Sequence, residues 1–179
     1  RWVEMVRHTL QTLGPKVLAS RMVRDYTEKY YVPAAQSLHR TIEPFDGVPF
    51  GAARGLAAYR QRAEDAWPKI QITEVDSYGL PDTPLLGSEL TLTATVHLAG
   101  LQPDEVVVQA VVGRVDATDA LVNPETVRMA HTGTANDGNE VFSTRTPLPV
   151  AGPVGYTVRV LPHHRLLAAP TELGLVTLA

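Results

Sequence analysis

The chain has 179 residues, a formal net charge of −3, 44% hydrophobic and 20% charged residues, and no cysteine. That is room for one medium domain, or for a helical segment plus a domain of about 100 residues. The missing cysteines exclude disulfides, thiolate metal sites and cysteine nucleophiles, and the absence of a basic surplus argues against a nucleic-acid partner.

No apolar run approaches the roughly 20 residues needed to span a bilayer, so no membrane partner is expected and a cytoplasmic location is. The chain opens at Arg1, not at an initiator Met, which predicts a piece of a longer protein.

Trp2, Met5, Val6, Thr9, Leu10 and Leu13 recur at three- and four-residue steps and predict a helix from about Trp2 to Leu13, stopped by Gly14-Pro15. A second helix is expected from Ser20, a good N-cap, with Val23, Tyr26, Tyr30 and Tyr31 on its apolar side. Arg21 with Asp25, and Asp25 with Lys29, have pairing distance along it, and Pro33 is expected to limit it, with Ala34 to Leu38 open to adding a turn. The three tyrosines suit either a sugar platform or packing on a neighbouring domain. His39 to Phe50, with Pro44, Gly47 and Pro49, reads as a loop. GAARGLAAYRQRAEDAW (51–67) predicts a third helix ended by Pro68, with Ala52, Leu56, Tyr59, Ala63 and Trp67 on one face.

From Lys69 the period changes to two. KIQITEV, LTLTATVHL (90–98), VVVQAVV (106–112), TVRMAHTGTA (126–135), EVFSTRTPL, GYTVRVLPH (155–163) and GLVTLA read as strands. Asn136-Asp137-Gly138-Asn139 is a hairpin turn, and Gly79 to Gly87 is a loop between strands. The fold class expected is α+β: N-terminal amphipathic helices (residues 1–67) followed by an immunoglobulin-like antiparallel β-sandwich (68–179).

Chemistry is sparse. His163-His164 invite a metal reading, but adjacent histidines on a strand point to opposite faces and rarely share one ion, and six histidines without cysteine argue against the three or four convergent ligands zinc needs; the pair reads as a polar strand end followed by a loop. The turn at 136–139 lacks the alternating ligands of a calcium loop. Asp116, Asp119, Glu125, Glu140 and Glu172 are scattered acids that sequence alone does not pair. No nucleophile elbow, P-loop or dinucleotide fingerprint occurs. Trp67, Tyr78 and Tyr156 are the aromatic residues open to two readings, carbohydrate contact or core and interdomain packing. No catalytic, cofactor-binding or metal-binding residue is expected in this chain.

Arg1-Trp2 and Met5, then Ser20-Arg21-Met22-Val23, Asp25-Tyr26 and Tyr30-Tyr31-Val32-Pro33, resemble the C-terminal end of the α-glucan (glycogen, starch and maltodextrin) phosphorylases. That family carries a Trp-x-x-Met helix, a turn, and a helix of the form Arg-x-(Val/Ile)-x-x-Tyr. Tyr156 to His164 and Glu172 to Leu178 are similar to the C-terminal extension of actinobacterial-type phosphorylases. The resemblance implies a parent glycosyltransferase that uses pyridoxal phosphate to release glucose 1-phosphate from α-1,4-glucans. The family's cofactor lysine and substrate residues lie upstream, and Lys16, Lys29 and Lys69 do not sit in its cofactor motif. It implies a non-catalytic tail whose partners are the remainder of the parent and a second copy of the chain. The alternative is an accessory carbohydrate-binding module that holds α-glucan.

Overall fold

The computed structural model describes residues 1–44, 47–81, 85–149 and 152–179. The chain divides into two compact units, residues 1–55 and 56–179.

In the first unit, helix α1 (Trp2–Val17) runs through the expected stop and contains Pro15. Pro15 lies in the last turn, where it forfeits a single ladder bond and its fixed φ still suits the helix. The break comes at Leu18, whose ψ of 136° is extended. Helix α2 (Ala19–Tyr26) therefore starts one residue before Ser20, which makes no capping bond. Arg21 and Asp25 pair at 2.9 Å, and Lys29 reaches Asp25 at 3.7 Å.

Pro33 does not end the helical path. A π turn (Thr27–Tyr31) shifts the bonding, with the Val32 N–H reaching the Thr27 carbonyl. Helix α3 (Val32–Ile42) then begins with Pro33 in its first turn, where a missing N–H costs least. The expected loop from His39 thus starts only at Glu43, and its Phe45 and Asp46 lie outside the described residues. None of the residues in α1, α2 and α3 is buried. Trp2, Met5, Leu10, Leu13, Tyr30 and Tyr31 are all exposed.

Helix α4 (Gly51–Ala66) agrees with the sequence expectation, and a 3₁₀ turn at Trp67–Lys69 carries Pro68. In the second unit, Tyr59, Ala63, Ala66 and Trp67 join the buried core from this helix. The strands that follow are β1 (Gln71–Tyr78), β2 (Glu89–His97), β3 (Val106–Val115), β4 (Leu121–Arg128), β5 (Ala130–Thr134), β6 (Glu140–Pro147), β7 (Val154–Pro162) and β8 (Thr177–Leu178). The loop expected between β1 and β2 includes Asp82 to Pro84, outside the described residues.

Among the described residues these strands form two antiparallel four-stranded sheets, in the orders β1-β2-β6-β5 and β4-β3-β7-β8. The alternation in β2 is realised: Leu90, Leu92, Ala94 and Val96 are buried. They share one core with Val106, Val108, Ala110 and Val112 of β3 and with Val158 and Val160 of β7. Burying each such Leu or Val contributes roughly 1.5–3 kcal/mol, so this core dominates the stability of the unit.

The stretch from Thr126 to Ala135, expected as one strand, is two. The chain leaves the second sheet at Arg128, buries Met129, whose N–H meets the Val108 carbonyl at 2.9 Å, and joins the first sheet at Ala130. β4 was hidden by Pro124, which is tolerated because β4 is an edge strand.

Candidate functional site

The end of the second sheet nearest α4 carries a knot of polar contacts. The Tyr59 hydroxyl donates to the Glu105 carbonyl at 2.8 Å and accepts the His163 N–H at 2.9 Å. Glu105 is placed by a capping turn: its carboxylate accepts the Gln102 N–H at 3.0 Å and pairs with Arg62 of α4. Burial pushes the Tyr59 hydroxyl up to about 12, with the Glu105 carboxylate adding to the rise while the His163 N–H and Arg62 oppose it.

The two histidines have distinct roles. His163 Nδ1–H donates to the Asp104 carbonyl at 2.9 Å, since a carbonyl only accepts. His164 stacks on the Tyr59 ring, centroids 5.1 Å apart, and its Nδ1 accepts the Leu166 N–H at 3.3 Å. Neutral His164 therefore carries its proton on Nε2. Burial lowers the His164 pKa, and the charges of Arg165 and His163 lower it further.

Beside this knot lies a cleft of about 320 Å³, walled by Gln109, Arg128, His163, His164, Arg165 and the turn at 167–170. Gln109 stands in register between Arg128 of β4 and Arg159 of β7. Arg159 Nε donates to Gln109 Oε1 at 2.9 Å. Gln109 and Arg128 are site residues that the sequence reading missed. The signal was present as the one polar residue inside VVVQAVV, which faces away from the core.

The sequence candidates are scattered. Trp67 is in the core, with its indole Nε1–H unpartnered among the described residues. Tyr78, 58% exposed, ends an edge strand of the first sheet, whereas Tyr156, 37% exposed, lies on β7 of the second. The acids act locally. Asp116 accepts the Thr118 hydroxyl and the Thr118 and Ala120 amides, which hold its carboxyl below the usual range. Glu140 binds His131 at 2.6 Å, and Glu172 accepts the Ala168 N–H at 2.7 Å. In the hairpin turn, the Asp137 carboxylate accepts from Asn139.

No group of three or more metal-ligating side chains occurs among the described residues. Among them, also, no helix is long and apolar enough to cross a membrane. Nor do the lysines among the described residues fit a pyridoxal phosphate Schiff base. A Schiff-base lysine is held in a closed pocket, but Lys16, Lys29 and Lys69 are exposed.

The sequence profile of the "Glycogen phosphorylase C-terminal domain" family matches residues 67–179. The chain is 74% identical over its whole length to a glycogen phosphorylase of Mycobacterium tuberculosis and 73% identical to one of Mycobacterium bovis. It is 24% identical to a maltodextrin phosphorylase of Thermococcus litoralis, over 98% of the chain. It spans only 20% of the length of each of these relatives. The similarity covers the strands as well as the opening helices, and the chain belongs to the glycogen phosphorylase C-terminal domain family.

Proposed function

We propose that the chain is a non-catalytic C-terminal part of an α-1,4-glucan phosphorylase, whose parent releases glucose 1-phosphate from glycogen or maltodextrin with pyridoxal phosphate. Its role is interdomain or oligomeric contact. The observation that carries this reading is the alignment of the entire chain with one fifth of glycogen phosphorylases. The faces of α1 to α3 add to it, because a row of exposed Trp, Met, Leu and Tyr side chains suits packing against further protein. The remainder of the parent and a second copy of the chain are the partners we assign to those faces, in a cytoplasmic enzyme.

The strand orders support an immunoglobulin-like sandwich. With the strands lettered in sequence, the sheets read A-B-E-D and C′-C-F-G, the arrangement of that fold. The carbohydrate-module reading has less behind it, since Tyr78 and Tyr156 sit on different sheets and Trp67 is buried.

The test is removal of residues 67–179 from the natural protein. The expected product keeps the pyridoxal absorbance band and maltodextrin phosphorolysis, and changes its oligomeric state by light scattering. A folded product that has lost cofactor and turnover overturns the non-catalytic assignment. Retention of the original on glycogen resin, lost with Tyr78→Ala or Tyr156→Ala, favours the carbohydrate module.

A further inference from the structure

We propose that the cleft between β3, β4 and the segment after β7 binds a phosphoryl group, as free phosphate or as the head of a small phosphate monoester, through Arg128, Gln109 and His164. This inference does not rest on the phosphorylase reading.

Three observations carry it. The first is the sign of the walls. Arg128, His163, His164 and Arg165 line the cleft, and no carboxylate is among its described lining residues; that of Glu172 meets the wall, engaged by the Ala168 N–H at 2.7 Å. Two other clefts of the same unit each hold one, Asp116 beside Arg114 in one and Asp65 beside Arg62 and Lys69 in the other. Arg128 takes part in none of the ion pairs found among the described residues. A guanidinium facing a space without a counter-ion is suited to bidentate oxyanion recognition.

The second is the set of donors. Arg159 occupies the Gln109 carbonyl oxygen, so Gln109 has its amide NH₂ to offer. His164 keeps its proton on Nε2 because Nδ1 accepts from Leu166. Arg128, the Gln109 amide and His164 therefore all donate, which matches an acceptor-only ligand. The fold fixes two of them: Gln109 by register and Arg159, His164 by its stack on Tyr59.

The third is size. About 320 Å³ is at the small end of ligand pockets. It exceeds what a phosphate needs, and Val107, Leu167 and Pro170 supply an apolar wall for the carbon part of an ester.

The test uses the 179-residue chain with ¹⁵N-labelled arginine, glutamine and histidine side chains. It is titrated at constant ionic strength with inorganic phosphate, and separately with glycerol 3-phosphate. Saturable shifts confined to Arg128, Gln109 and His164 are expected. Arg128→Ala should weaken binding about tenfold or more. Gln109→Glu, which keeps the bond to Arg159 but brings a negative charge into the cleft, should abolish it. Arg145→Ala, in the pair with Glu89 on the other sheet, should leave it unchanged. Tighter binding of glycerol 3-phosphate assigns the ester, and equal or weaker binding assigns free phosphate. Shifts that sodium chloride reproduces, or that survive Gln109→Glu, overturn the proposal.

Discussion

Tyr59 and Glu105, 46 positions apart in sequence, meet through a hydroxyl-to-carbonyl hydrogen bond of 2.8 Å that ties α4 to the turn before β3. The Glu105 carbonyl also accepts the His163 N–H at 2.8 Å. Removing the hydroxyl therefore does not orphan it. Tyr59→Phe should cost only about 1 kcal/mol, an ordinary net hydrogen bond. Tyr59→Ala also empties the core and should cost about 3–5 kcal/mol. Urea unfolding followed by Trp67 fluorescence in a Trp2→Phe background checks both. Equal losses would mean that the ring contributes nothing beyond its hydroxyl.

Two stacked groups of this knot, Tyr59 of α4 and His164 after β7, set opposite limbs of the pH dependence. The Tyr59 pKa of about 12 lies above its ordinary 10. The unfolded chain releases that proton first, so the stabilisation is complete below about pH 10 and is lost as pH rises toward 12. Its size is on the order of 2 kcal/mol. His164 has the opposite sign: its pKa is lowered from 6.5 by burial, Arg165 and His163, against the pull of Glu105. Its stabilisation is present above pH 6.5 and is lost as pH falls through the folded value. Tyr59→Phe should flatten the alkaline limb of a stability–pH curve, and His164→Gln the acid limb. A wild-type curve that both variants reproduce would refute the assignment.

How much of this was legible depends on range. β2 could be read residue by residue, because Leu90 to Val96 alternate against threonines and the buried face follows that alternation. The end of α4 was equally local, fixed by alanines and Pro68. The misreadings at Pro15 and Pro33 have one cause. Proline marks a missing donor, but not whether the local hydrogen-bond pattern needs it there. The sheet switch at Met129 coincides with a lapse of alternation, Met129-Ala130 both apolar and His131-Thr132 both polar, which by itself does not distinguish a change of sheet from a bulge within one strand. The knot joins Tyr59 to His163, 104 positions away, and no spacing rule encodes that contact. His163 and His164 were legible as a polar strand end before a loop, and β7 does end at Pro162. Their actual partners, a backbone carbonyl and a tyrosine ring, carry no sequence signature.

Two glycines of the second sheet make a contrast that separates side-chain from backbone crowding. A Cβ on Gly155 would meet Val115 Cγ2 at 2.6 Å and Leu121 Cδ2 at 3.0 Å. Gly155→Ala should destabilise by about 1–3 kcal/mol, and Val115→Ala in the same chain should recover part of it. Coupling in that double-mutant cycle should exceed about 0.5 kcal/mol. At Gly113, where the β3–β4 register shifts, the neighbours are the Pro124 Cα at 3.1 Å and the Val122 carbonyl oxygen at 3.2 Å. Trimming Val122 should not rescue Gly113→Ala, because its backbone is the obstacle. Thermal unfolding of the wild type and the six variants measures both cycles, and rescue at Gly113 would contradict the geometry.

Trp67 offers a sharper test of what its indole contributes. The side chain is 7% exposed within the core, and its Nε1–H is unpartnered among the described residues. A buried donor without a partner costs about 1–3 kcal/mol, which opposes the burial of the ring. Trp67→Phe removes that donor and leaves a modest void, so the two changes should offset to within about 1 kcal/mol. Trp67→Ala keeps no ring and should cost about 3–5 kcal/mol. Urea midpoints read by circular dichroism distinguish the cases. A Phe variant as unstable as the Ala variant would show that the N–H bond, and not the apolar ring, holds this position.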